Sequence, residues 1–178
     1  MDPRDPDPVL AAWRVEEAAH RRRRAALEQE LLAAELRLDG LWGPWAAIGT
    51  TVAVHTTAGR QHRGRVTAVG SDLVVVTPTA GPPVAIPVRH VVGVVADELT
   101  VAGAPVPRSA TAFVEVLREM ADRGAEVAVV AGTAAARGRI EVLGVDVAVI
   151  RDATGRRSYL RLEALSELSS MSMTSSSW

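Results

Sequence analysis

Apolar positions follow a helical period through roughly the first 39 residues, then switch to strand-like alternation from Ile48. Leu27, Leu31, Ala34 and Leu38 recur at steps of four, three and four, the seam of a helix that pairs with another helix. Asp7 is placed as its N-cap, Pro8 fits the first helical position and Gly40 fits the stop. Glu17 with Arg21, and Arg24 with Glu28, are i,i+4 pairs along its middle. Together these signals predict one long helix over 8–40, a rod of about 45 Å at ~1.5 Å per residue. Trp42 and Trp45 follow, within Leu41-Trp42-Gly43-Pro44-Trp45, and are expected to seat the rod on the next domain.

The alternating region contains five short β-type runs, over 52–54, 65–69, 72–77, 84–88 and 91–95. Turn residues separate them at Ala58-Gly59, at Gly70-Ser71 and across 78–83. Pro87 donates no backbone hydrogen bond, so its strand should lie at an edge or turn the proline to an unpaired side. Residues 97–111 hold Gly103, Pro105, Pro107 and Ser109 and read as a linker. Residues 112–123 predict a short amphipathic helix with Phe113, Val116, Leu117 and Met120 on one side. The segments 1–7 and 169–178 are expected to be disordered, the latter being rich in Ser and Met.

The second half repeats the first. Arg63-Gly64-Arg65-Val66 matches Arg137-Gly138-Arg139-Ile140, and Gly70-Ser71-Asp72-Leu73 matches Gly144-Val145-Asp146-Val147. Ile86, Val88, Val91 and Val94 match Leu160, Leu162, Leu165 and Leu168. Val52 and Val54 match Val127 and Val129 with one residue lost from a hairpin loop. A unit of about 45 residues buries little surface alone, so two are expected to support each other. Closing each unit into a small barrel would remove its exposed edges, with Gly64 and Gly138 at the bends.

Composition narrows the function. The chain has 178 residues, of which 48% are hydrophobic but only 3% aromatic, so the core must be aliphatic. Cysteine is absent, which removes disulfides, zinc-thiolate sites and thiol nucleophiles. No apolar run reaches the ~18 residues of a membrane span. The start carries Asp2, Asp5 and Asp7 and does not resemble a signal peptide, so a cytoplasmic protein without membrane contact is expected. All 20 basic side chains are Arg, and neither Lys nor Asn occurs, which reflects GC-rich coding more simply than selection for phosphate. Four of the arginines, Arg21 to Arg24, are consecutive and splay around the predicted helix as a solvated face.

Net charge is −1, yet residues 48–96 carry four arginines against Asp72 and three of the four histidines. Arg60, His62, Arg63, Arg65, Arg89 and His90 are therefore the candidate nucleic-acid-binding residues, forming a basic rim. There is no HExxH, no GxSxG and no glycine-rich loop ahead of a helix. His55, His62, His90 and Asp72 lack a metal-binding spacing, so neither an enzyme nor a metal or other cofactor is expected.

Val52-x-Val54, Gly59, Gly64-x-Val66, Val69 and Leu73-x-Val75 resemble the first motif of the Sm-like family. The step from Gly59 to Gly64, and the run Val88-Arg89-His90-Val91-Val92, look like the Hfq-type RNA chaperones of that family. The resemblance covers roughly 44–95 and, more weakly, 112–168. It implies a mainly β fold with α (α+β). The expected architecture is two tandem five-stranded SH3-like or Sm-like small β-barrels, spanning 41–96 and 112–168 and preceded by the long N-terminal helix. It also implies assembly into rings, with Arg89 and His90 near uridine-rich RNA. This chain has Gly70 and Val74 where Sm proteins carry Asp and Asn, and Glu163-Ala164 where the second copy should carry a basic pair. The expected function is a non-enzymatic, self-assembling interaction or scaffold protein. Leu27, Leu31 and Leu38 are its candidate oligomer interface, and the N-terminal helix its contact for a protein partner. The alternative is an RNA- or DNA-binding regulator that uses the basic first half to hold single strands.

Overall fold

A computed structural model describes residues 17–24, 37–97 and 109–171. Residues 17–24 are helical and belong to a unit of their own. The expected Glu17–Arg21 pair is present at 4.0 Å between exposed side chains, and Arg21 to Arg24 are all exposed. Leu27, Leu31 and the Arg24–Glu28 pair lie outside the described residues, as do 1–7, most of the expected linker and the residues beyond Met171.

The main unit is built twice. Helix α1 (Leu38–Ile48) leads into β1 (Thr51–Thr56), β2 (Gln61–Val69), β3 (Leu73–Thr77), β4 (Val84–Pro87) and β5 (Val91–Ala96). Helix α2 (Phe113–Asp122) leads into β6 (Glu126–Ala131), β7 (Ala134–Leu143), β8 (Val147–Arg151), β9 (Arg157–Arg161) and β10 (Leu165–Ser170). A 3-10 turn joins the last two strands of each half, Val88–His90 in the first and Leu162–Ala164 in the second.

All ten strands form one antiparallel sheet in the order β5-β1-β2-β3-β4-β10-β6-β7-β8-β9. This overturns the expected pair of closed five-stranded barrels behind a long N-terminal helix. Closure would require β4 to pair with β5 in its own half. Instead β4 pairs with β10 of the other half, with Ala85 opposite Leu168 and Val84 opposite Ser169. Each half thus satisfies one edge on its twin, and the sheet stays open at β5 and β9. The expected single helix over 8–40 is interrupted at Arg37, and among the described residues α-helix is found at 17–24, in α1 and in α2. Gly40 does not end a helix: α1 runs through Gly40, Gly43 and Pro44. The cost of these poor helix formers is offset by Trp42 and Trp45, both buried and packed edge-to-face with ring centroids 5.3 Å apart.

The duplication read in the sequence extends to backbone register. Val52 faces Gly64 as Val127 faces Gly138. The second strand of each half bulges at the same place, between Val66 and Ala68 and between Ile140 and Val142. Thr56 faces Val91 across one bulge, and Ala131 faces Leu165 across its equivalent.

Two apolar clusters fill the unit. One gathers Trp42 and Trp45 of α1 with Val52, Val54, Val66, Val74, Val76 and Ile86. Leu38, expected at an oligomer seam, is partly buried against it. The other gathers Phe113, Val116, Leu117 and Met120, the predicted face of α2, with the aliphatics of the second half. It also takes in Leu73, Val75 and Ala85 from the first half. Alternate residues of β3 therefore enter different clusters, and both its faces are covered. That is why 73–76 is a continuous apolar run rather than an alternating one. Pro87 faces Leu73 but lies beyond the two β10 pairs, so the missing donor falls on the unpaired side.

Candidate functional site

The six basic candidates do not share one rim. Arg60 and His62 turn toward Glu167 of β10. This carboxylate is only 3% exposed and sits in the seam where the halves join. The Thr56 hydroxyl donates to Glu167 Oε1 at 2.8 Å. Arg60 Nε lies 3.4 Å and His62 Nε2 3.0 Å from Oε2, the histidine contact being close but bent. Burial pushes the Glu167 carboxyl up, but the His62 and Thr56 contacts and the Arg60 charge outweigh it and hold the group below its ordinary value.

Arg89 and His90 also face the other half. The 3-10 turn that carries them lies against its twin at 162–164. Arg89 Nη2 donates to the Leu162 carbonyl at 3.3 Å, and Nη1 stands 3.8 Å from Asp72. His90 Nε2 is 2.8 Å from the Glu163 carbonyl and Nδ1 is 3.0 Å from the Thr57 hydroxyl. Those partners fit an imidazole that donates from Nε2 and accepts at Nδ1. Asp72 also caps α2 from the first half, its Oδ1 accepting the Phe113 backbone N–H at 2.7 Å.

Arg63 and Arg65 remain. They flank Gly64 on β2, both exposed. Arg63 reaches Asp97 at 3.5 Å between exposed groups, and Arg65 makes no ion pair among the described residues. The histidines do not converge either: His55 pairs with Gln61 at 3.2 Å, away from Glu167 and from the 162–164 turn. Among the described residues no group of acids and histidines is placed to hold a metal, and no helix is long and apolar enough to cross a membrane.

Sequence reasoning overlooked Glu167. Its signal lay in the repeat, which sets Glu167 on Gly93, with Val130 opposite one and His55 opposite the other. A carboxylate at a buried strand position needs partners from another element. It also overlooked how different the two ends of the sheet are. Val92 on β5 is 69% exposed and Val95 59%, while Tyr159 on β9 is 69% exposed. Ala85, which holds the place of Tyr159 in the first half, is completely buried beneath the joint with β10. Neither a protein-family model nor a curated protein sequence matches this chain.

Proposed function

We propose that this protein is a non-enzymatic interaction protein that assembles with copies of itself by adding β9 of one chain to β5 of the next. The observation that carries this reading is the joint between β4 and β10 within the chain. By the repeat, β9 is the counterpart of β4, and β5 is the counterpart of β10. The two free edges are thus the two halves of a joint that the same fold already makes once. Val94 and Val95 of one chain would meet Tyr159 and Ser158 of another, as Leu168 and Ser169 meet Ala85 and Val84 internally.

Open strand edges recruit further strands, and exposed Val92, Val95 and Tyr159 favour it here. Such a joint is head-to-tail, so it grows into a closed ring or an open filament according to the rotation per step. The alternative, nucleic-acid binding through all six basic residues, has less support, because Arg60, His62, Arg89 and His90 already contact groups of the protein itself.

Sedimentation velocity of the full chain over a range of concentrations tests the proposal. The wild type should sediment as an assembly. Tyr159→Asp and Val95→Asp should each shift it to the 18.8 kDa single chain. A wild type that stays a single chain at every concentration overturns the reading. So does an assembly that both variants leave intact but Leu27→Asp with Leu31→Asp dissolves, because assembly would then run through the N-terminal seam.

A further inference from the structure

The duplication places two partly corresponding clefts on the molecule, and they differ in their acids. The first, about 650 Å³, opens beside the bend at Gly64 and is lined by Arg63, Arg65, Thr51, Thr67, Thr77 and Thr79, with no carboxylate in its wall. The second, about 620 Å³, opens beside β7 and the loop that follows β8, and contains Arg137, Arg156 and Arg157. Two acids in its wall, Glu126 and Asp152, occupy places that are neutral in the first. Glu126 holds the place of Thr51: each faces the second arginine of its Arg-Gly-Arg, Arg139 in one half and Arg65 in the other. Asp152 replaces Pro78, and Glu141, which replaces Thr67, reaches the cleft through Arg157.

These acids hold two of the second cleft's three arginines. Arg137 Nε donates to Glu126 at 3.1 Å, and Arg157 grips Glu141 through two hydrogen bonds of 2.7 and 2.9 Å. The Asp152 carboxylate is taken by its own turn, accepting from Thr154 and Arg156. In the first cleft no carboxylate lines the wall to hold the cations. Arg65 is unpaired among the described residues, and the long, exposed Arg63–Asp97 contact is easily exchanged for a ligand. Hydroxyls stand beside the arginines, and the Thr67 and Thr77 oxygens lie 2.9 Å apart.

From this difference we infer that the Arg63–Arg65 cleft of the first half binds a phosphate-bearing ligand. Guanidinium groups match the planar spacing of phosphate oxygens, and flanking hydroxyls complete their coordination without adding charge. The volume suits a small phosphorylated molecule or one residue of a nucleic-acid strand. The twin cleft of the same fold, where carboxylates hold Arg137 and Arg157, is its internal counterexample. None of the residues lining the cleft belongs to β5 or β9, so phosphate binding and chain assembly are tested by separate variants.

Titration calorimetry of the full chain with inorganic pyrophosphate tests it, beside a single-stranded oligonucleotide of ~10 nucleotides. One pyrophosphate per chain should bind saturably at low salt. Arg65→Ala, and separately Thr51→Glu with Thr67→Glu, should each weaken binding about tenfold or more. Arg137→Glu in the twin cleft should leave it unchanged. Thermal melts of all variants should match the wild type, since every altered group is exposed or half-buried. An oligonucleotide that binds more tightly than pyrophosphate, with the same dependence on Arg65, assigns the phosphate to a nucleic-acid strand. One that binds no better assigns it to a small molecule. Absence of saturable pyrophosphate binding, or equal binding by both first-cleft variants and the wild type, overturns the inference.

Discussion

Gly138→Ala should destabilise the protein by about 3 kcal/mol, as overpacking against fixed backbone does. A methyl group there would lie 2.6 Å from the Arg151 carbonyl carbon and 2.9 Å from the Asp152 Cα, on backbone that cannot move without breaking the β7–β8 ladder. The φ of 153° adds strain for any residue with a side chain. Gly64→Ala should behave similarly, since its methyl group would meet the Thr77 carbonyl carbon at 2.6 Å and the Pro78 Cα at 2.8 Å. Gly59→Ala is the control. Its φ is also positive, at 73°, but nothing lies within 4 Å, so it should cost only about 1 kcal/mol. Urea denaturation followed by circular dichroism measures all three. The cluster under α2 draws residues from both halves, so Gly138→Ala should lower a single shared transition rather than split it. A Gly138→Ala protein with the wild-type midpoint would refute this account of the bend.

Removing the Glu167 carboxylate should cost nearly as much. Glu167→Ala leaves Thr56 and His62 facing an empty, water-poor seam, and such a loss is worth about 3 kcal/mol. Glu167→Gln keeps the shape and an acceptor for Thr56 but loses the charge, and should cost about 1–2 kcal/mol. The two proteins should also differ in acid. The folded carboxyl is held below its unfolded value, so its contribution is complete above the ordinary carboxylate range. It is lost as pH falls through the depressed folded value. The stability gap between wild type and Glu167→Gln should therefore shrink below about pH 4. A gap that persists at low pH would mean that the carboxylate charge does not hold the seam.

Much of the main unit was legible along the chain. The alternation of 52–54 and 65–69, the turn at Gly59 and the four apolar residues of α2 each follow from local period and conformation. The one-residue shift of the repeat located both hairpins. Other features were hidden. Gly40, Gly43 and Pro44 signal the end of a helix, and only the burial of two tryptophans against β-strand valines keeps α1 running through them. Of the candidate site, the residue types were readable but their partners were not. Arg63 and Arg65 remained open to solvent, whereas Arg89 and His90, adjacent in a motif that suggested a ligand, bond to carbonyls of the duplicated turn.

The sequence by itself determined the strands, the helix α2 and the twofold repetition, because side-chain period, glycine placement and apolar spacing act over a few residues and need no partner. Only the tertiary structure decided that β4 pairs with β10, that Glu167 is buried between the halves, and which arginines contact the protein's own groups. Those outcomes depend on which edges, clusters and charges come together across distant stretches of chain. In a duplicated sequence each edge has two chemically similar partners to choose from. Glu167, where the first copy has Gly93, is one side chain that ties the halves together, through Thr56, Arg60 and His62.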